Sequence, residues 1–345
     1  MSSGRHRLPA EWEPHAATWL AWPHRRATWL GDFAAIPPVF AGIARLIALH
    51  EPVRVIASGK ILEEAREHIG TVGNVELIDI PTNDAWLRDT GPVFLLPAAV
   101  AADAAPPMPA AVAWKWNAWG GKYPPWDADA RVAGRIAAGL GLPVSEPGIV
   151  LEGGAIDTDG EGTLLVNHRC VVDPARNPGL DRDAIEAVIR ANLCIDRVLW
   201  VGGELAGDDT DGHIDQLARF VAPGRVVAAR QPDPLDPNHA ALEANLALLR
   251  SLVDARGRRL EVIPIDIPSR FTFGQTQLPA SHLNFYVANG LVAVPVFLAA
   301  TDEPALRTIE ACFPGRRIVP VRCHELIRGR GGIHCITRDQ PAWRP

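Results

Sequence analysis

The chain has 345 residues, 48% of them hydrophobic and 21% charged, with a net charge of −6 and a pI near 6.0. That length buries a large core, as one big domain or two ordinary ones, and no apolar stretch reaches the roughly 20 residues a membrane-spanning helix needs. No polybasic tract stands out, which argues against nucleic acid as a partner, and the opening MSSGRHRLPAEWEPH lacks the apolar segment of a secretory leader, so a cytoplasmic protein is expected.

In chain order, the apolar periodicity predicts a strand at VRVIAS (53–58), a helix over 60–69, and strands at VELIDI (75–80) and PVFLL (92–96). AAVAADAAPPMPAA (98–111) is low-complexity and reads as a surface loop. AVAWKW (111–116) reads as a strand and 127–141 as a helix. GIVLEGGAID and GTLLVNH follow as a strand pair. A helix capped by Asp181 spans 181–193, and DRVLWV is the next strand. HIDQLARFV and RVVAAR form another pair, then come a helix at 239–255 and the strand RLEVIPID. NFYVANGLVAVPVF (284–297) carries Asn-Gly between two apolar runs and predicts a hairpin. A helix near 303–311 and the strand RIVPV lead to a glycine run at the C-terminal end. The pieces group into five strand–helix–strand modules at a loose spacing of about 60 residues, without sequence identity between them.

The five cysteines, at 170, 194, 312, 323 and 335, are odd in number and form no CxxC, so neither a disulfide framework nor a zinc knuckle is indicated. Several of the 11 tryptophans stand beside glycine, proline or charge, where pocket lining competes with plain core packing.

Four stretches hold polar residues among apolar neighbours. In NDAWLRDTGPVF, Asp89 precedes Gly-Pro and a strand; it is either a turn cap or a site acid. In IVLEGGAID, Glu152 ends an apolar run and meets two glycines; a carboxylate there needs a partner, either backbone N–H groups or a ligand. In GDDTDGHIDQLARF, His213 and Asp215 are two apart and would share a face of a strand. Asp208, Asp209 and Asp211 precede them, so a metal set is conceivable, but no second histidine cluster follows and the run does not fit an EF-hand loop. In RGRGGIHCIT, Cys335 follows glycines that would let a substrate approach, and Arg328 and Arg330 would favour a thiolate. The plain alternative is a buried strand thiol between Ile333 and Ile336.

A thiolate, one histidine and several carboxylates without metal fit a guanidinium substrate. That cation stays protonated and offers a fork of N–H donors that carboxylates match. Sulfur would attack its carbon, and His213 would protonate departing ammonia and then activate water.

LPAEWEPHAATWLAWPH, DAWLRDTGPVF, WNAWGGKY, LEGGAID, DDTDGHIDQLARFV, LPASHLNFYVANG and GGIHCIT, in that order from about residue 8 to 341, resemble the agmatine deiminase family of the guanidine-modifying (pentein) superfamily. The resemblance implies one domain over 1–345: a five-bladed α/β propeller of ββαβ modules with pseudo-fivefold symmetry. It places the nucleophile on Cys335, the acid/base on His213, guanidinium-binding carboxylates on Asp89 and Asp215, and the histidine's partner on Glu152. It puts Trp86 and Trp119 along the substrate channel. No metal or organic cofactor is implied, the partner is a small cationic guanidine, and relatives are often dimers or larger. The implied reaction converts agmatine to N-carbamoylputrescine and ammonia in polyamine metabolism. Peptidylarginine deimination, amidino transfer and silent guanidine binding are the alternatives.

Two departures matter. Asp209 replaces a longer acid that many relatives place toward the substrate's far end, and Arg330 stands where many relatives have only glycines and an asparagine. If Arg330 points into the channel, a carboxylate-bearing substrate gains ground. If it turns to solvent or pairs with an acid such as Asp302 or Glu303, agmatine stays favoured.

Overall fold

A computed structural model describes residues 6–98 and 108–343. The expected loop at 98–111 lies outside the described residues over 99–107, and its end, Ala110–Val112, is a strand.

The fold is mixed α/β. Its described strands form five sheets of three or four strands and one two-stranded ribbon. In each of the five, an antiparallel pair is followed by a helix and a strand parallel to the second member. Ile156–Thr158 pairs antiparallel with Thr163–Asn167, which pairs parallel with Arg197–Val201 after the helix Arg182–Leu193. The same order holds for Ala218–Ala222, Arg225–Arg230 and Glu261–Asp266 around the helix His239–Ser251. It recurs in Tyr286–Ala288, Leu291–Val296 and Arg317–Arg322 around Asp302–Cys312, and in Val93–Pro97, Ala110–Val112 and Val144–Ser145 around Val132–Gly139. The fifth sheet joins the chain's ends. Thr337–Pro341 pairs antiparallel with His15–Ala21, which pairs parallel with Val53–Ala57 across the helix Ile36–Ala48. An antiparallel pair needs only a short turn, whereas a parallel one needs a crossover, so this repeat follows from the alternation of short and helical links.

Local chemistry sets the element ends. The Asp181 side chain accepts from the Ala184 N–H at 2.9 Å and starts a helix that buries Ile185, Ile189 and Leu193 at four-residue spacing. Ile36, Phe40, Ile43 and Ile47 bury one face of the helix Ile36–Ala48. Each such side chain contributes about 1.5–3 kcal/mol when removed from water. Gly290 takes φ +82 at the tip of the expected hairpin, and Asn289 ties that tip to the fifth sheet through the backbone of His15.

Several expectations differ. The strand expected at 111–116 ends at Val112, and beyond it only Lys115 bridges Val150. The run 149–155 is no strand: Gly153–Ala155 is one 3₁₀ turn, and the strand begins at Ile156. His213 and Asp215 do not share a strand face, because Ile214–Gln216 is a 3₁₀ turn and the strand starts at Ala218. Ile214 and Leu217 are both buried three residues apart, a spacing that suits a turn as well as alternation suits a strand. The helix expected at 127–141 splits into a 3₁₀ turn, Asp129–Arg131, and Val132–Gly139, and that expected at 239–255 stops at Ser251.

No described helix is long and apolar enough to cross a membrane.

Candidate active site

The five modules deliver polar side chains to one place by the same device. In each, the residue sits at the entry to the first strand of the antiparallel pair. Asp89 lies in the turn Leu87–Thr90 before Val93–Pro97. Glu152 precedes the turn Gly153–Ala155 and the strand from Ile156. His213 and Asp215 flank Ile214 before Ala218–Ala222. Asn284 precedes Tyr286–Ala288, and Cys335 lies in Ile333–Ile336 before Thr337–Pro341.

Two glycines let these entries converge. A methyl group on Gly154 would lie 2.5 Å from His213 Nδ1, 3.0 Å from Asp89 Oδ1 and 3.1 Å from Asp215 Oδ2. One on Gly153 would lie 2.1 Å from the Arg88 carbonyl. The glycines before Cys335 serve close packing: methyl groups on Gly331 and Gly332 would meet Trp86 at 2.3 Å and Asn284 Oδ1 at 2.5 Å. Gly329 and Gly331 still line the cavity, so backbone does face the substrate space, with Trp86 stacked beside it.

Asp89 is buried. Its Oδ1 accepts from the Gly154 N–H at 2.9 Å and stands 3.7 Å from His213 Nδ1, and its Oδ2 accepts from the Trp119 indole at 3.1 Å. Burial raises its pKa; His213 pulls it down, and Asp215 and Glu152 push it up. Burial also works against charge on His213, but Asp89, Glu152, Asp215 and Asp208 outweigh it and raise the imidazole's pKa. The Nε2 of His213, Oε2 of Glu152 and Oδ1 of Asp215 are buried without a partner. Unpaired buried polar atoms are costly, and three around one centre mark a place built to receive hydrogen-bonding groups.

Cys335 is held by Asn284, whose amide donates to Sγ at 3.1 Å while its Oδ1 accepts the backbone N–H groups of His334 and Cys335 at 3.0 and 3.3 Å. Sγ lies 3.7 Å from Asp215 Oδ2. The thiol is pushed well above its ordinary value by burial, then by Asp215 and Asp89, with hydrogen bonds from Gly332 and Asn284 pulling back. The expectation that Arg328 and Arg330 favour the thiolate is therefore overturned. Arg328 lies 4.7 Å over the Phe273 ring, and Arg330 pairs with Asp209 at 3.3 Å.

Behind the site lies a buried ionic bundle. Glu11 accepts from Arg88 at 2.9 Å, Arg219 at 3.0 Å, His334 at 2.8 Å and the Val287 N–H at 3.0 Å. Burial alone would raise its pKa, but Arg219, His334 and Arg88 hold it well below the usual carboxylate range. Arg176 binds Glu152 at 2.7 Å, Asp173 and Asp211 at 2.8 Å each and the Thr210 carbonyl at 2.8 Å, tying Glu152 to the loop that carries His213. The acids considered as a metal set are each engaged: Asp208 caps Thr210 and Gly212, Asp209 meets Tyr123 and Arg330, and Asp211 meets Lys122 and Arg176.

A cavity of about 230 Å³ opens above Cys335 and Asp89. Trp86, Trp119 and Tyr123 line it together with Arg25, Arg328, Arg330, Asp84 and Asp209. Of the site residues singled out in the sequence, Trp86, Asp89, Trp119, Asp209, Arg330 and Cys335 line this cavity, His213 and Asp215 stand 3.7 Å from Asp89 and Cys335 respectively, and Glu152 does not line it and pairs with Arg176. Arg330 meets both stated alternatives at once: it lines the cavity and pairs with an acid, which is Asp209 and neither Asp302 nor Glu303. Sequence reasoning missed Asn284, Glu11, Arg176 and His334. Asn284 had a signal, since it occupies the same entry position as Asp89 and Cys335.

Fold and site together define a hydrolase of carbon–nitrogen bonds in linear amidines. The chain belongs to the Porphyromonas-type peptidyl-arginine deiminase family, whose model matches residues 7–341. It is similar to the agmatine deiminases of Ectopseudomonas mendocina (strain ymp), 37% identical, and Pseudomonas fluorescens (strain SBW25), 36% identical; each alignment covers 97% of this chain and 95% of the relative. Among solved structures it is similar to the agmatine deiminase of Enterococcus faecalis, with a TM-score of 0.89 and 31% identity over 97% of this chain and 96% of that one.

Proposed function

We propose that this chain is an agmatine deiminase, hydrolysing agmatine to N-carbamoylputrescine and ammonia in the cytoplasm as a step of polyamine metabolism. The single observation that carries the reading is the convergence of Cys335 and Asp89, which line one cavity, with His213, 3.7 Å from Asp89, and Asp215, 3.7 Å from the Cys335 sulfur, and with unpaired polar atoms on His213, Asp215 and Glu152. The similarity to agmatine deiminases over nearly the full length supports it.

Asp89 and Asp215 grip the guanidinium by its N–H groups, Asp215 through its unused Oδ1. The arriving cation offsets the negative field that keeps Cys335 protonated, and the thiol proton leaves the sulfur for His213. The sulfur attacks the guanidinium carbon and gives a tetrahedral adduct. His213 returns a proton to the departing ammonia, leaving a thiouronium on Cys335. His213 then takes a proton from water as its oxygen attacks the same carbon, and the sulfur leaves as thiolate while the remaining hydroxyl proton passes to solvent, giving the urea-type product. Glu152, fixed by Arg176, supports the charged imidazole. Trp86 and Trp119 flank the aliphatic chain, and Asp209 receives the far ammonium.

The chain, 1–345, is one domain. The five sheets, with their common antiparallel-then-parallel order, are the blades of a pseudo-fivefold α/β propeller, and the strand entries that carry the site residues are its centre. No metal or organic cofactor takes part. The test is ammonia release from agmatine by the purified chain in excess chelator. Strong release supports the reading, and release that collapses with chelator would replace it with a metallohydrolase.

A further inference from the structure

A second cavity, of about 50 Å³, backs on the catalytic residues. It is lined by His334, which bonds Asp215, and by Gly153, whose neighbour Gly154 abuts His213. Its walls carry three guanidinium groups, of Arg88, Arg219 and Arg338, and three carboxylates, of Glu11, Asp157 and Asp339. The two sets are equal in number but not in pairing. Arg219 takes Asp157 and reaches Glu11 at 3.0 Å. Arg88 takes Asp339 at 2.8 Å and Glu11 at 2.9 Å. His334 adds a third hold on Glu11 at 2.8 Å. Arg338 is left over. It is 5% exposed, and its Nε donates to the Pro92 carbonyl at 2.6 Å. Among the described residues, neither of its Nη groups has an acceptor and no carboxylate forms an ion pair with it.

Burial pulls the pKa of Arg338 down to about 10, against the pull of Asp339, so the group is still a cation at neutral pH. A buried charge is costly unless a counter-charge and hydrogen bonds meet it. Gly153 keeps the approach to this one clear, since a methyl group there would lie 3.1 Å from Nη1. With Nε spent, the open edge of the guanidinium is Nη1–Nη2, which matches the two oxygens of a planar oxyanion. On the scale by which one water needs about 10–15 Å³, the cavity admits an anion of three or four heavy atoms. One negative charge balances the one unpaired cation, whereas a second would stand in excess beside Glu11, Asp157 and Asp339.

We propose that this cavity binds a small planar monoanion, of the size and charge of formate or bicarbonate, on the Nη groups of Arg338. With a counter-ion of its own, Arg338 does not compete for Asp339 and Glu11, which stay on Arg88 and His334. The anion takes no part in the chemistry at Cys335, and its binding does not depend on which guanidine the enzyme hydrolyses.

The experiment measures the melting temperature of the purified chain in sodium formate, sodium bicarbonate or sodium gluconate at equal ionic strength and pH, for the native enzyme, Arg338→Gln and Arg338→Lys. Gluconate carries the same charge on the same carboxylate but is too large to enter. The native enzyme is expected to melt about 2 °C higher for each tenfold rise in formate or bicarbonate above the dissociation constant, and to ignore gluconate. The salt that acts at the lower concentration identifies the anion. Arg338→Gln should lose the response. Arg338→Lys keeps the charge without the fork and should need about tenfold more anion. An equal response in the native enzyme and Arg338→Gln, or an equal rise in gluconate, would overturn the site. Crystals of the native enzyme soaked in formate or bicarbonate give a check that needs no variant. A planar anion on Nη1 and Nη2 of Arg338 is expected, and water alone there in both salts would overturn the proposal.

Discussion

The Nδ1 of His334 stands 2.8 Å from Asp215 Oδ2, and the sulfur of the next residue, Cys335, stands 3.7 Å from the same oxygen. His334 therefore pins one oxygen of the acid whose other oxygen is unspent, and its Nε2 anchors that hold on Glu11 at 2.8 Å. Replacing His334 with Gln should free Asp215 to rotate. Because hydrogen bonds to charged groups are worth about 1.5–3 kcal/mol, kcat/KM for agmatine should fall about 10- to 100-fold, mainly through KM. Glu11→Gln should act in the same direction, and the double variant should cost less than the sum of the two. Full additivity in steady-state kinetics would show that the two do not work as one tether.

Gly154 tests the convergence of the strand entries. Its Cβ position overlaps His213 and crowds both Asp89 and Asp215. Gly154→Ala should lower kcat by about 100-fold or more, since a displacement of about 1 Å at a reacting centre has that effect. Gly134→Ala is the control. That residue lies in the helix Val132–Gly139 with open space around it, so the change should stabilise by about 0.4–1 kcal/mol and leave turnover unchanged.

Burial and two carboxylates raise the pKa of Cys335 well above the ordinary thiol value, so the enzyme without substrate should hold it as a thiol at neutral pH. Alkylation of the Cys335 peptide by iodoacetamide, followed by mass spectrometry, should be slow near neutral pH and accelerate above the ordinary thiol range. Removing a neighbouring anion stabilises a thiolate, so Asp215→Asn should move the profile toward lower pH. A shift to higher pH would contradict a thiol held protonated by its neighbouring carboxylates.

Arg176 and Glu152 are both fully buried and paired. Arg176→Met leaves the Glu152 carboxylate without its cation and should destabilise the fold by about 3–5 kcal/mol in urea denaturation. Unchanged stability would mean that Glu152 does not need the pair.

The sequence made the polar members of the floor legible because each interrupts an apolar run: Asp89 before Gly-Pro, Glu152 before Gly-Gly, His213 and Asp215 around Ile214, Cys335 between Ile333 and Ile336. The helix and strand order was legible from periodicity and from signals such as the Asp181 cap and Asn289–Gly290. What escaped depends on contacts far apart in the chain. Glu11 near the N-terminus reaches residues 88, 219 and 334, and Arg176 reaches residues 152 and 211; no local pattern encodes such pairings. The one-turn helices at Ile214–Gln216 and Gly153–Ala155 escaped because a run of two or three residues carries too little periodicity to separate a turn from a strand. The thiol's electrostatics escaped for a related reason. Arg328 and Arg330 are close to Cys335 in sequence, but their charges are spent on Phe273 and Asp209, and the acids that face the sulfur come from other modules.

The proposed mechanism requires Cys335 to become covalently bonded to the guanidinium carbon. The most direct measurement is rapid acid quench of the enzyme during turnover of agmatine, followed by intact-mass and peptide mass spectrometry. A thiouronium adduct is expected on the peptide containing Cys335, present during turnover, gone when agmatine is exhausted, and absent in Cys335→Ala together with ammonia release. Undiminished ammonia release by Cys335→Ala, or turnover with no adduct at any quench time and full activity after Cys335 is alkylated, would contradict it.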